Sequence, residues 1–283
     1  MIIMEEIKMT NPIMVAEIGI NHNGSLSNVF KLIDLAVKHK FDYVKFQKRN
    51  IDICYTEEYL NLPRVSPWGH TQREQKEGLE FSIDQYKIIN AYCEAKGIKW
   101  FYSAWDIDSA DKMLNNFNCD FIKIARACNN NKELIGFYNA NNERKNIIVS
   151  FNPYTDIMSN IINDIKNIKF MLGCVSLYPA PSDYTGFEYL FNSNYRLGFN
   201  INFGYSNHSD NWIHPVIASF GEAKMIEVHI TLDKTLYGSD QSASLDDTDL
   251  TYMMQYKYST DLNKIKLYKE QEEEVLKKLR QTW

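Results

Sequence analysis

His208 and His229 end two apolar runs, Ile201-Asn-Phe-Gly-Tyr-Ser-Asn-His208 and Met225-Ile-Glu-Val-His229. A β-run that stops on a histidine delivers its imidazole to the rim of a sheet, and Glu227, two residues earlier, shares the strand face of His229. Two histidines with a nearby carboxylate suit a divalent cation whose other positions stay open to water and substrate. His39 and His70 lack this placement and read as ordinary core or surface residues. Lys45 and Lys123 bring a second chemistry. They sit in Tyr43-Val-Lys-Phe-Gln47 and Phe121-Ile-Lys-Ile124, where strand alternation turns each lysine away from its apolar neighbours and, in a barrel, into the lumen. A buried ammonium is costly without an anion, and three arrangements answer that need. One is a carboxylate or phosphate ligand, with the Ser150 and Ser206 hydroxyls completing the cradle. The second is a Schiff-base lysine, and the third is lysines held by internal carboxylates such as Glu17. A Lewis acid beside a phosphate cradle would activate a carbonyl on one substrate while a phosphorylated second substrate attacks it.

Such groups need a scaffold that brings strand ends together. Eight β-like runs recur: Ile13 to Ile18, Tyr43 to Gln47, Lys99 to Ser103, Phe121 to Ile124, Ile147 to Ser150, Phe170 to Val175, Ile201 to Tyr205 and Met225 to Ile230. Between them lie stretches with apolar residues at helical spacing, such as Val29 to His39, Ile83 to Ala95, Ser109 to Phe117 and Tyr154 to Ile165. Eight β/α units predict an α/β fold, a single-domain (β/α)8 TIM barrel over residues 1–260, with a charged helix in 261–283 packed on it or extending from it. Polar and reactive residues gather at the C-terminal ends of the runs: Glu17 and Asn21, Lys45 and Gln47, Ser103, Lys123, Ser150, Ser176 and Tyr178, then Ser206, His208, Glu227 and His229. A TIM barrel builds its active site at that end. The stretch from Asn50 to Gly78 is long for a loop and carries Tyr55, Tyr59, Trp68 and His70, so it is either a lid or a surface excursion.

Composition narrows the function. With 283 residues, 45% of them hydrophobic, the chain has enough apolar material for one large barrel. A formal net charge of -5 and the absence of a long basic run argue against nucleic acid as partner. The start, Met1-Ile-Ile-Met-Glu-Glu-Ile-Lys8, has no basic region before a long apolar core, and no stretch is long enough to span a bilayer, so the expectation is a cytoplasmic protein without a membrane partner. Five scattered cysteines without a CxxC pair are expected to be reduced, with Cys174, at a strand end, the one placed to line a site.

Several ordered segments carry a resemblance. Val15-Ala-Glu17-Ile-Gly-Ile-Asn21-His22-Asn23-Gly24 resembles the opening signature of the N-acetylneuraminate (sialic acid) synthase family, and the likeness runs to about Asp247. Tyr43 to Gln47 is similar to the family's phosphoenolpyruvate strand, and Gly97 to Ser103 and Phe121 to Ile124 resemble the two strands that follow. Cys174-Val-Ser176-Leu-Tyr178-Pro-Ala-Pro181 resembles the sixth strand. Gly204 to Ser209 and Glu227 to Asp233, followed by Gly238 to Leu245, resemble its metal-site segments. The resemblance implies condensation of phosphoenolpyruvate with an open-chain N-acyl hexosamine, giving a sialic-acid-like 2-keto sugar acid and phosphate for surface glycans. Mn2+ or Mg2+ is the implied cofactor, on His208 and His229. Lys45, Lys123, Ser150 and Ser206 become phosphoenolpyruvate contacts, and Gln47 joins them on the same strand. Glu17 and Glu227 become the groups that position or deprotonate water and stabilise an oxocarbenium-like intermediate. Ser176, Tyr178 and Asp240 fall where the sugar is held.

The departures are also specific. Family members commonly continue into an antifreeze-like domain that, in a swapped dimer, sends an arginine into the partner's site, and Trp283 comes before any such segment. The expectations are a homodimer through barrel faces, a separate antifreeze-like partner chain, or an acceptor without the acyl-amino group. Asn207 stands where aspartate is common and Gln241 where histidine is frequent, and Ile124-Ala-Arg126-Ala replaces a serine-rich turn. Arg126 is a rim cation able to substitute for the missing arginine or to pair with a phosphorylated acceptor. Two rival readings remain: a 3-deoxy sugar acid synthase that uses a phosphorylated aldose, and a non-catalytic or split-synthase subunit.

Overall fold

The computed structural model of the chain describes residues 11–141, 145–192 and 201–258. Eight parallel strands close a barrel: β1 (Ile13–Gly19), β2 (Tyr43–Lys48), β5 (Lys99–Ala104), β6 (Phe121–Ile124), β7 (Asn146–Phe151), β8 (Ile168–Gly173), β9 (Asn202–Asn207) and β10 (Met225–His229). These are the eight runs read from the sequence. β8 begins and ends two residues before the run assigned to it, because Cys174 leaves the ladder and its amide binds the Phe151 carbonyl alone. The C-terminal helix expected over 261–283 lies outside the described residues. No helix among the described residues is long and apolar enough to cross a membrane.

The outer helices bury one stripe each. In α1 (Leu26–Lys38), Val29, Leu32, Ile33 and Ala36 face the barrel, and the Ser25 hydroxyl caps the first turn by accepting from the Asn28 amide. In α5 (Ile83–Lys96), Ser82 and Gln85 form a reciprocal capping box and Gly97, at φ +69°, ends the helix in the left-handed conformation. α6 (Ile107–Asn116), α7 (Lys132–Asn141), α8 (Met158–Asp164), α9 (Ile213–Phe220) and α10 (Asp247–Tyr258) complete the described helices of the outer layer.

The lumen is stratified. Tyr43, Phe101, Phe121 and Phe170 form a chain of edge-to-face rings with centroids 5.4 to 5.9 Å apart. Tyr43 and Phe121 lie two residues before Lys45 and Lys123 on their strands, so the aromatic layer sits directly beneath the lysines and closes the barrel below them.

The excursion between β2 and α5 is not a bare loop. It holds two single-turn helices, α2 (Ile51–Cys54) and α3 (Glu57–Leu60), a hairpin of β3 (Pro63–Ser66) and β4 (Gly69–Thr71), and α4 (Gln72–Gly78). It packs on the C-terminal rim: Trp68 meets Tyr237 edge-on with centroids 5.8 Å apart, and Arg64 Nε donates to the Tyr237 hydroxyl at 3.2 Å. A Cβ on Gly24 would lie 2.1 Å from the Gly78 carbonyl oxygen, and one on Gly78 would lie 2.2 Å from Trp68 Cγ. Both positions therefore need glycine for the excursion to seat against the loop after β1.

Candidate active site

A cavity of about 120 Å³ opens above the aromatic layer. Its wall includes Glu17, Lys45, Gln47, Lys123, Ser150 and Glu227, with Arg126, Ser176, Tyr178, His208 and His229 toward the rim. These come from seven of the eight strands or the loops that follow them, and they are eleven of the thirteen residues singled out from the sequence. The other two stand behind the wall. The Ser206 hydroxyl, expected to touch phosphoenolpyruvate, is spent on Glu227 Oε1 at 3.1 Å. Asp240, expected to hold the sugar, lies with Oδ2 3.7 Å from His229 Nδ1 and accepts from the Ser239 hydroxyl.

Parallel register sets the charge pattern. Glu17 is flanked by Lys45 on β2 and by His229 on β10, while Glu227 faces Ser206 on β9. Lys45 Nζ is 2.9 Å from Glu17 Oε2 and 3.6 Å from Glu227 Oε1, and Lys123 Nζ is 2.6 Å from the same Glu227 oxygen. Gln47 donates to Glu17 Oε1 at 2.7 Å. Internal carboxylates, one of the arrangements open for the lysines, therefore face both ammoniums. All four charged groups are at most 3% exposed, and two ammoniums balance two carboxylates.

Burial alone would lower the Lys45 ammonium, but Glu17 and Glu227 together lift it above the usual lysine range. Lys123 is pulled down by burial, with Lys45 pushing the same way against Glu227, so it holds its proton less firmly. Burial would raise Glu227, yet Lys123 and Lys45 keep it ionised, below the ordinary carboxylate range. At the rim, Arg126 Nη2 is 2.9 Å from Asp156 Oδ1, which anchors the guanidinium beside the opening.

The two imidazoles converge, with ring centroids 5.3 Å apart. His208 Nδ1 binds the Val175 carbonyl, which only accepts, so Nδ1 carries the proton and the Nε2 lone pair faces inward. Burial, with His229 adding, lowers His208 to about 3, which keeps the ring neutral. The Tyr178 hydroxyl lies 3.3 Å from Nε2, and its ring stacks on His208 although the residue is 42% exposed: the ring roofs the site while the hydroxyl points in. Five buried polar atoms on residues lining the cavity have no hydrogen-bond partner: Glu17 Oε2, which faces the Lys45 ammonium as an ion pair, Trp105 Nε1, Ser150 Oγ, Glu227 Oε2 and His229 Nδ1. Such atoms are rare in a folded chain, and their gathering at one cavity marks a place built for a ligand. Among the described residues, no group of three or more His, Cys, Asp or Glu side chains forms a metal cage by itself. The two imidazoles fit a cation that takes its other ligands from water or substrate.

Ser103, Trp105, Ala125, Ala127 and Cys174 also line the cavity. Ser103 and Cys174 carried the strand-end signal. Trp105 directly follows β5, and the same rule would have found it. Asn207 binds Tyr205 and Ser209, and Gln241 binds Thr231 and the Asn21 and Tyr237 carbonyls, so both are occupied in their own loops.

The sequence model of the NeuB family matches residues 32–265. The human N-acetylneuraminate-9-phosphate synthase is 35% identical over 85% of this chain and 68% of its own length. The N,N'-diacetyllegionaminic acid synthase of Campylobacter jejuni is 27% identical over 86% of this chain and 74% of its own. Among solved structures, the N-acetylneuraminic acid synthetase of Leptospira borgpetersenii superposes with a TM-score of 0.75 at 23% identity, covering 88% of this chain and 83% of that one, which supports the barrel fold.

Proposed function

The chain belongs to the NeuB family, and on that premise we propose that it condenses phosphoenolpyruvate with an N-acyl hexosamine, in a metal-dependent reaction that makes a sialic-acid-like 2-keto sugar acid for surface glycans. Its relatives are sugar-acid synthases, and it is an enzyme of that kind. The observation that carries the reading is the convergence of two lysines, two glutamates and two histidines around one cavity whose wall keeps unpartnered polar atoms.

In this reading Lys45, Lys123 and Ser150 hold the phosphate and carboxylate of phosphoenolpyruvate, with Gln47 beside them and Arg126 adding charge from the rim. Ser176, Tyr178 and Asp240 hold the sugar near the histidines. Carbon 3 of the enol attacks the aldehyde carbon, and the aldehyde oxygen collects a proton. Positive charge develops at carbon 2, where Glu17 and Glu227 stabilise it, and one of them takes a proton from the water that adds there. The bond from carbon 2 to the phosphate oxygen then breaks, leaving the keto acid and inorganic phosphate. His208 and His229 would hold Mn2+ or Mg2+, which supplies Lewis acidity at the aldehyde oxygen.

Charge arithmetic supports the ion. The four buried groups sum to zero, so without further positive charge they offer a polyanionic substrate little net attraction. The names of the relatives differ in whether the product carries a phosphate, so this chain's own residues must choose the acceptor. A homodimer or a separate antifreeze-like chain is the proposed source of further acceptor contacts, tested by size-exclusion coupled to activity. The synthase reading is tested by phosphate release from phosphoenolpyruvate with Mn2+, across free N-acyl hexosamines and phosphorylated aldoses, with mass detection of the product. A nine-carbon keto acid from one acceptor supports it, and no phosphate release with any acceptor sinks it.

A further inference from the structure

The cavity has two unlike sides. In the closed ring of strands β6 stands opposite β10, β5 opposite β9 and β7 opposite β1. His229 ends β10, His208 follows β9 and Glu17 is on β1. Facing them across the barrel, Arg126 lies in the turn after β6, Trp105 directly follows β5 and Ser150 is on β7. One side thus offers imidazoles and a carboxylate, and the other offers N–H and O–H donors. The protein leaves these donors unused. Trp105 Nε1 and Ser150 Oγ are buried without a hydrogen-bond partner, and Arg126 Nη1 has none among the described residues.

Arg126 is fixed from behind. Its Nε and Nη2 donate to the two oxygens of Asp156 at 3.3 and 2.9 Å, a fork on a carboxylate that sets the plane of the guanidinium. Asp156 is fixed in turn. Its Oδ2 accepts from the Asn152 amide at 2.9 Å and from Asn129 Nδ2 at 3.0 Å, and Asn129 Nδ2 also donates to the Ser150 carbonyl at 3.1 Å. The guanidinium is thereby tied to the strand end that carries the Ser150 hydroxyl. Asp156 offsets its charge, so what Arg126 brings to a ligand is the set direction of its two Nη1 N–H bonds. Trp105 is held from three directions. Its amide donates to the Lys48 carbonyl at 3.1 Å, and Arg49 Cζ lies 5.4 Å from the centre of its ring. Its carbonyl accepts from Cys128 Sγ at 3.9 Å, and Cys128 closes the turn that Arg126 opens.

We propose that Trp105 and Arg126 are substrate-binding residues that hold an oxyanion of phosphoenolpyruvate on the β5–β6 side of the cavity, and that Asp156 is the positioning residue for Arg126. The inference rests on the synthase reading above and deepens it by committing Arg126 to phosphoenolpyruvate and away from the acceptor. The two lysines and two glutamates beneath already balance, so the donors without a protein partner decide where an anion settles. In that reading the acceptor aldehyde belongs with the histidines on the opposite side, which leaves this side to the anionic substrate. A buried N–H left unpaired is unfavourable, and an oxyanion relieves it through a charge-assisted hydrogen bond.

The test uses the full chain with Mn2+ and varies each substrate in turn. Arg126→Gln should raise KM for phosphoenolpyruvate about tenfold or more, and Trp105→Phe, which keeps an aromatic ring and removes the N–H, should raise it about fivefold. Acceptor KM should stay within about twofold in both. Asp156→Asn should also raise KM for phosphoenolpyruvate about fivefold, and should add nothing when combined with Arg126→Gln, because it acts through that side chain. An unchanged KM for phosphoenolpyruvate in either Arg126→Gln or Trp105→Phe, or a rise in acceptor KM in its place, overturns the inference. Tighter phosphoenolpyruvate binding in Asp156→Asn, the result of losing a negative charge without losing aim, or a full further rise in the double variant, overturns the positioning role. Binding is read apart from turnover by calorimetry of phosphoenolpyruvate with Mn2+ and no acceptor. A Kd raised in all three single variants upholds the inference even where no acceptor is turned over, a result that counts against the synthase reading alone. A Kd indifferent to Arg126→Gln and Trp105→Phe overturns the inference and leaves turnover by the parent, and with it the synthase reading, standing.

Discussion

Replacing Glu227 by glutamine tests whether the four buried charges act as one unit. Glu227 Oε1 meets Lys123 at 2.6 Å and Lys45 at 3.6 Å, and the side chain is almost inaccessible. A neutral amide there leaves two buried ammoniums with Glu17 alone, which Lys45 keeps at 2.9 Å. Lys123 becomes the uncompensated charge. Removing one partner of a buried pair costs about 3–5 kcal/mol, and for a chain of this size that lowers Tm by roughly 6–10 °C at about 2 °C per kcal/mol. Lys123→Met combined with Glu227→Gln removes both halves and restores the balance, leaving the Lys45–Glu17 pair intact. The double variant should lie within about 2 kcal/mol of the parent. Thermal and urea unfolding, followed by circular dichroism in chelator-treated buffer so that ligand binding does not enter, read both quantities. Additivity, with the double variant losing the sum of the two singles, would refute the reasoning, because independent charges have no shared partner to lose.

Ser150→Ala should leave stability within about 0.5 kcal/mol, because the Ser150 hydroxyl is buried without a hydrogen bond to lose, while KM for phosphoenolpyruvate rises about tenfold; a clear loss of Tm with unchanged KM would contradict the assignment. His208→Ala and His229→Ala should each abolish the Tm increase that added Mn2+ gives the parent, an increase worth about 2.7 kcal/mol at one hundred times Kd, and should lower metal-dependent turnover at least about 100-fold. Gly78→Ala must move the Trp68 ring, since the new Cβ would lie 2.2 Å from Cγ; acceptor KM should rise several-fold while KM for phosphoenolpyruvate stays within about twofold, which initial-rate kinetics with either substrate varied would show.

The barrel was legible because each of its strands is a short apolar run between turn signals, and the polar residue after each run marks the catalytic rim. Other elements gave weaker signals. α9 begins Ile213-His-Pro215, and Pro215 reads as a breaker, yet in the first turn it loses no helical hydrogen bond. α7 buries Leu134, Ile135 and Tyr138, a stripe of only three residues interrupted by Gly136. The small elements of the excursion are shorter than the window in which helical periodicity can be detected. At the site, residue types pointed to charge in the lumen, but which carboxylate holds which lysine depends on the strand register. The pairing of Glu17 with Lys45 across β1 and β2 is a property of barrel closure that one strand's pattern does not contain. For Ser206 the direction is readable in the sequence, whereas its hydrogen bond to Glu227 on the neighbouring strand is not.

The two imidazoles differ in what aims them. His208 is oriented by the Val175 carbonyl, a main-chain oxygen that every residue at that position would supply. His229 Nδ1 has no such partner: Asp240 Oδ2 lies 3.7 Å away, beyond hydrogen-bond reach. As sequences in this lineage diverge, the aim of His208 is inherited with the backbone and needs no selection on the side chain at position 175, whereas His229 inherits no main-chain partner at Nδ1.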